Sequence, residues 1–408
     1  MLVERLTLRS FRNYAEVTTA FAPGGAYITG ANGSGKTNLL EAIYYLANQV
    51  SFRTSQREEL QGWDARQCVV GATVTERGAQ RQSELAVQLT HGTRRLFLNG
   101  KETREPHRFM ERFAAVAFHP GTINVIKGGP AGRRHLIDRG IASLQPAYVQ
   151  VSQDFQRALK QRNALVRSTA SGSPAALAVW TERFIEVAVQ ITRCRMEHVT
   201  RLNGTLAELV QRLGEDLGSL TVEYRPAVLA KCPVQEREAA LTLEDGGTLL
   251  HERFAAAAQR LRRAEEAMGQ TLFGPQRDDF VICYQGRDSR GYASQGEQRL
   301  VAFLLVAALA IEIYRQRGHR PVVLLDDVVS ELDERNRLVV FDFLKTHAFQ
   351  VFITDVEERP LYRDLSPLTP IRVRQVSGRA ELQSHGVLGS TPWTPQSSRQ
   401  TGGCAAHG

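Results

Sequence analysis

The chain has 408 residues, 42% of them apolar, and a formal net charge of +8. That length allows two or three domains, and it leaves no room for a bilayer span: the most apolar stretch, Leu300 to Ile313, is short and carries Glu312, and the alternating start MLVERLTLRS lacks the layout of a signal peptide, so a soluble cytoplasmic protein with no membrane partner is expected. Five scattered cysteines without a CxxC pair argue against zinc or a disulfide framework, and the positive charge fits either a polyanionic partner or an arginine-rich genome, lysine occurring only six times.

In chain order, Leu2 to Leu8, Val17 to Phe21 and Ala26 to Thr29 read as short strands, the last running straight into a glycine-rich loop. The spacing of Leu39, Leu40, Ile43 and Leu46 predicts a helix over 38–48. Residues 68–118 look β-rich, with strands at Val69 to Val74, Leu85 to Leu89, Arg95 to Leu98 and Ala114 to Phe118. From about 131 the pattern turns helical. Val151, Phe155, Leu159 and Arg162 share one face, and Leu177, Trp180, Phe184, Val187 and Ile191 another, across a break at SGSP (171–174). A third helix is predicted over Leu249 to Leu272. Strand character returns at Phe280 to Tyr284, Pro321 to Asp326 and Phe349 to Thr354, with a helix from Glu297 to Arg315 between. After 386 the chain is poor in aliphatic residues and reads as a disordered tail.

The loop matches G-x-x-x-x-G-K-S/T, with Gly30, Ala31, Asn32, Gly33, Ser34, Gly35, Lys36 and Thr37. Glycines let backbone amides curl around phosphate oxygens, and the following helix contributes the positive end of its dipole. Lys36 can reach the outer phosphates of ATP, and the Thr37 hydroxyl can hold Mg²⁺. The second half of such a site is a carboxylate at the end of a buried strand, and VVLLDD at 322–327 fits. Asp326 would bind the metal and Asp327 would polarise the attacking water. About 290 residues separate Lys36 from Asp326, a far longer interval than small kinases and GTPases have. An α/β head formed by both ends of the chain, with a mainly helical arm inserted, is therefore expected.

YASQGEQRL at 292–300 opens the helix before the acidic strand. Ser294, Gly296 and Gln298 resemble the ABC-type signature, whose amides bind the phosphate held by a second subunit; Ser294 would equally serve as an ordinary helix N-cap. Ser330, Glu331, Leu332 and Asp333 resemble the D-loop of the same class. With LTLRSFRNY at the start, SFRT at 51–54, GGPAGRRHLID at 128–138, LKQRNALV at 159–166 and GPQRDDF at 274–280, the chain resembles the RecF family of bacterial recombination-repair ATPases, related to the SMC heads, over about 1–385.

The resemblance implies an ABC-type P-loop ATPase head in two parts, 1–130 and 268–385, around a helical arm at 131–267, followed by the tail at 386–408. It implies that Arg12 and Asn13 join the nucleotide site, that two ATP molecules are sandwiched in a homodimer on DNA, and that RecO and RecR act as partners in loading RecA at gaps or junctions. Hydrolysis should be slow, below the enzyme median of about 10 per second, because Asp327 stands where the class has a longer Glu. There are three departures from the pattern: Thr354 where the class often has His, Gly121 and Thr122 where the family has an acidic residue, and Gln276 for His. Candidates for phosphate contacts with DNA are Arg133, Arg134, Arg139, Arg157, Lys160, Arg162, Arg193 and Arg195, each of which also fits a solvated helix face. Arg53, with Arg133 and Arg134, fits the dimer interface or the nucleotide as well. A transporter-coupled ABC ATPase and a P-loop phosphotransferase remain the alternatives.

Overall fold

A computed structural model describes residues 1–384 except 64, 77–81, 169–172, 215–216, 234, 236–239, 241–245, 329–331 and 366. The expected tail at 386–408, Ser330 and Glu331 of the expected D-loop, and part of the SGSP break lie outside the described residues.

An antiparallel sheet comes from β1 (Leu2–Phe11), β2 (Tyr14–Ala20), β4 (Gln67–Thr75), β5 (Gln82–Thr90), β6 (Thr93–Leu98) and β7 (Lys101–Thr103), in the order β2-β1-β4-β5-β6-β7. A second sheet has the order β15-β14-β3-β13-β12-β8, built from β3 (Gly25–Thr29), β8 (Ala115–Phe118), β12 (Val322–Leu325), β13 (Gln350–Asp355), β14 (Thr369–Val376) and β15 (Arg379–Ser384). Its neighbours run parallel except at β14–β15. The helix α1 (Lys36–Asn48) fills the space between these sheets, its Leu39, Leu40, Ile43 and Leu46 packing with Val70, Val87, Val322 and Phe352.

The continuous apolar run at 322–325 has a direct cause. Val322 and Leu324 point into the core around α1, whereas Val323 and Leu325 point into the helical core on the other face. A strand buried on both faces has no polar positions to alternate with. Both ends of the chain build this head: β3 pairs with β13, and the Gln350 side-chain amide exchanges hydrogen bonds with the Val3 backbone at 2.7 and 3.0 Å.

The intervening helices are α2 (Pro130–Leu144), α3 (Tyr148–Arg167), α4 (Pro174–Leu213) and α5 (Gly246–Met268). At 40 residues α4 is about 60 Å long. Ser173 caps it, Pro174 occupies its first turn, and Phe184, Val187, Ile191, Val199, Leu202 and Leu206 form its buried stripe. The helix expected to reach Leu272 stops at Met268, because Gly269 takes φ 65° and the Glu265 carboxylate accepts the Leu272 amide at 2.7 Å.

The interval expected to be mainly helical also holds β9 (Leu220–Arg225), which pairs with β10 (Asp279–Tyr284) and, through it, with β11 (Arg287–Asp288). Tyr224 stacks on Phe280 across that pair, with ring centres 4.7 Å apart. Strands β14 and β15 were not expected either; Ile371 and Val373 alternate with exposed arginines, a pattern too short to stand out. The helices α6 (Gln295–Arg317) and α7 (Glu334–His347) complete the head.

Candidate nucleotide site

The phosphate loop leaves β3 at Gly30 and enters α1 at Lys36. Gly30 has φ 153°, and a Cβ there would lie 2.3 Å from the Val373 carbonyl oxygen, so the neighbouring strand excludes any side chain. Gly35 has φ 118° and sits against the Asn13 amide. Lys36 lies across the loop, its Nζ donating to the Gly30 and Ala31 carbonyls at 2.6 and 3.0 Å. Burial pulls its pKa below the ordinary lysine value, opposed by Asp327, Asp326 and Asp355. Phosphate oxygens offer that ammonium a stronger partner than two carbonyls do.

The turn between β1 and β2 braces the loop from outside. Asn13 Nδ2 donates to the Ser34 carbonyl at 3.1 Å and accepts at Oδ1 from Asn38 at 2.8 Å, while the buried Tyr14 hydroxyl donates to the Gly35 carbonyl at 3.0 Å. Arg12 is held differently. Its guanidinium makes a bidentate pair with the fully buried Glu41 of α1, at 2.9 and 2.7 Å, and donates to the Glu59 carbonyl. Engaging a nucleotide would draw on that pair. Glu41 also accepts from Ser51, and Arg53 donates to Asn38 Oδ1 at 2.6 Å. The residues Asn38 and Glu41 escaped sequence reasoning, although Glu41, one helical turn beyond Thr37 of the motif, was a usable signal.

At the neighbouring strand ends the two acids part. Thr37 Oγ1 donates to both Asp326 oxygens, at 2.9 and 3.0 Å, and Thr354 Oγ1 donates to Asp326 Oδ1 at 2.7 Å. Burial pushes the Asp326 carboxyl above its usual range, with those hydroxyls holding it back. A buried carboxylate beside a threonine hydroxyl is a hard-oxygen pair that suits Mg²⁺. Asp327 takes φ 54°, its amide donating to Thr354 Oγ1 at 2.9 Å. So Thr354, at the place where the class often has His, ties the two acids together.

The helix α6 starts at Gln295 with Ser294 as its N-cap. Ser294 Oγ accepts from the Glu297 amide at 3.3 Å, and the Ser294 amide donates to Glu297 Oε2 at 2.7 Å, a reciprocal capping box. Ser294 is exposed. Gly296 faces Asp333, the N-cap of α7, and a Cβ there would come within 3.4 Å of its carboxylate. Gln298 corrects an expectation. It is buried, and its Nε2 holds the Ser289 and Ala293 carbonyls at 3.2 and 3.0 Å, so it shapes the turn before α6 instead of reaching a nucleotide.

The family model described as the RecF/RecN/SMC N-terminal domain matches residues 2–375. The chain is 35% identical over 358 residues to the DNA replication and repair protein RecF of Halalkalibacterium halodurans, covering 87% of this chain and 92% of that protein. It is 32% identical over 386 residues to the protein of the same name from an Exiguobacterium species, covering 94% and 100%. The chain belongs to the RecF family. A solved structure of the recombination mediator protein RecF with ATP, in the RecFOR pathway, superposes with a TM-score of 0.81 at 25% identity, over 94% of this chain and 97% of that one. An Smc head bound to the C-terminal winged-helix domain of ScpA, 16% identical with a TM-score of 0.53, shares the fold alone. Membership of the RecF family sets aside the transporter-coupled and phosphotransferase readings, and among the described residues no helix is long and apolar enough to cross a membrane.

In this RecF-family chain most of the arginines put forward for DNA have other work. Arg162 is buried, donating to both oxygens of the buried Glu265 at 3.0 and 2.7 Å and to Thr271 at 2.8 Å. Arg195 is buried between Asp138, Asp278 and the Pro275 carbonyl. Arg133 makes a bidentate pair with Asp279, at 2.8 and 3.0 Å, and Arg134 donates to the Asp278 carbonyl at 2.7 Å. Arg139 donates to the Asn48 carbonyl at 2.9 Å. The acids Asp278 and Asp279 of GPQRDDF thus gather the arginines of two helices, which no local pattern reveals. Arg157 and Lys160 on α3 are exposed, and Arg193 is half-buried.

Proposed function

We propose that this chain is an ATP-gated DNA clamp of recombinational repair and replication restart, closing as a homodimer with two ATP molecules between its heads. The observation that carries the reading is the exposed amino end of α6. The Ser294 hydroxyl proton and the amides of Gln295 and Gly296, which the capping box does not use, form an anion site at the start of a 23-residue helix, suited to a phosphate held by another copy. The chain's own phosphate loop supplies the complementary half: the loop amides and Lys36 grip the phosphates, while Asn13 and Tyr14 fix the loop.

Thr37 and Asp326 would hold Mg²⁺, which when bound draws charge from the phosphoryl oxygens. Asp327 accepts a hydrogen bond from the attacking water; the new oxygen–phosphorus bond forms as the bond to ADP breaks, giving ADP and phosphate. Thr354 holds the Asp327 backbone at φ 54°, a conformation that costs a non-glycine residue roughly 1–3 kcal/mol, and so fixes the carboxylate's direction. An aspartate reaches less far than a glutamate, which supports slow, switch-like turnover. The acceptor on DNA is a gap or a single-strand/duplex junction, with RecO, RecR and RecA as partners, support for the SOS response, and a cytoplasmic setting.

Sedimentation with and without ATP and gapped DNA tests the reading. The chain should dimerise only with ATP, and Ser294→Arg should bind ATP yet stay monomeric. An ATP-dependent dimer of Ser294→Arg would sink the sandwich.

A further inference from the structure

The position after β8 lies beside the acidic strand. Strands β8 and β12 are parallel neighbours with Phe118 opposite Leu325, and the Asp326 amide donates to the Phe118 carbonyl at 2.9 Å. His119 and Asp326 therefore leave the sheet side by side, with backbones about 4.8 Å apart. The His119 ring stacks on Phe52 at 4.6 Å, and Phe52 packs edge-on against Tyr44 of α1. The next residue, Arg53, is bonded to Asn38, one residue beyond Thr37. Its guanidinium is close enough to hold down both the His119 imidazole and the Asp326 carboxyl. Five residues from three segments thus gather beside the Thr37–Asp326 pair.

The imidazole has a fixed role in this setting. Nδ1 accepts the Gly121 amide at 3.2 Å, so the ring proton resides on Nε2. A neutral imidazole in that tautomer can donate from Nε2 but cannot take a proton there, which rules it out as the base for the attacking water. Phosphoryl oxygens are the strong acceptors that such a site brings in. The two residues after Pro120, where the family places an acid, are Gly121 and Thr122 here, and neither puts a negative charge between His119 and the nucleotide.

We propose that His119 is a further residue of the hydrolytic site, its Nε2–H donating to the terminal phosphoryl group of ATP beside the metal-binding Asp326. It deepens the ATPase reading above and rests on it. The contact distinguishes ATP from ADP, because only ATP carries an acceptor in that place. Burial and the Arg53 charge push the imidazole down to about 4, so the donor is present unchanged across neutral pH.

The experiment uses the full chain and compares affinities for ADP and for a non-hydrolysable ATP analogue, with Mg²⁺. In His119→Asn, the Asn oxygen can still accept the Gly121 amide and cap the turn, but the distal N–H is gone. The analogue should bind about tenfold more weakly, with ADP unchanged, the loss expected for a hydrogen bond to a charged group. His119→Gln, which reaches as far with an amide N–H, should recover most of that preference for ATP, at the expense of the cap and hence of thermal stability. A His119→Asn chain that binds both nucleotides as the wild type does would overturn the proposal, leaving His119 as a cap alone; so would a His119→Gln chain no better than His119→Asn. Asp326→Asn is the separate control: if Mg²⁺-dependent binding survives there, the nucleotide-site reading itself fails.

Discussion

The phosphate-loop edge of the central sheet and the joint between the arm helices and β10 are both rich in charge, yet they use it in opposite ways. At the loop, Lys36 rests on carbonyls and Asp326 on two hydroxyls, partners weaker than the phosphate and metal proposed for them. The backbone takes positive φ at Gly30, Gly35 and Asp327, a conformation that is costly only at the non-glycine Asp327. At the joint, Arg162 meets Glu265, Arg195 meets Asp138 and Asp278, and Arg133 meets Asp279, with charge matched to charge inside the fold. Tyr148 and Tyr224 hydroxyls donate to the same acids. The first region stores unsatisfied binding capacity. The second spends its charges on holding the long helices to the head, so a basic residue there says nothing about DNA.

The sharpest way to break this contrast is at the joint. Arg162→Ala leaves Glu265 buried and unpaired, and should cost about 3–5 kcal/mol of stability in urea unfolding. A loss confined to DNA affinity, with stability intact, would reverse the assignment. At the loop, Lys36→Ala should weaken ATP binding by about 100-fold, the equivalent of two charge-assisted hydrogen bonds, while leaving the melting temperature without nucleotide almost unmoved. Joint and loop would then separate cleanly into stability and binding.

A smaller effect concerns the exposed basic pair on α3. Arg157→Ala with Lys160→Ala should lower DNA affinity by about tenfold and reduce the salt slope by about 2, if both neutralise phosphates. An unchanged slope would move the DNA contacts elsewhere. The smallest effect expected is a pH dependence of the joint. Burial, with help from Arg201, pushes His198 down to about 4, below the 6.5 of an unfolded chain. The unfolded state then binds more protons between those values, so stability is full above about pH 6.5 and falls as pH drops towards 4. The melting temperature should decline by a few degrees from pH 7 to 5, and His198→Gln should flatten that decline.

Much of the nucleotide edge was legible in the sequence because its determinants are local. Glycines at 30, 33 and 35 announce a backbone with positive φ; a double-sided apolar run announces β12; Ser294 three residues before Glu297 announces the start of α6. The loop, the acidic strand and the signature all fall on the elements expected for them. The strands β9 and β14 were not legible, since each pairs with a strand from far along the chain, and β15 follows only from β14, with which it forms a hairpin. Nor was the fate of the arginines. A helical pattern shows that Arg162 shares a face with Phe155, but the carboxylate that claims it is Glu265, more than 100 residues on.

The sequence by itself determined that this chain carries a phosphate loop, a distant acidic strand and a helix-capping serine in the RecF order, because glycine conformation, apolar runs and caps are written in neighbouring residues. Only the tertiary structure decided which charges face outwards. Burying an ion demands a partner within a few ångströms, and those partners come from segments that no local pattern connects.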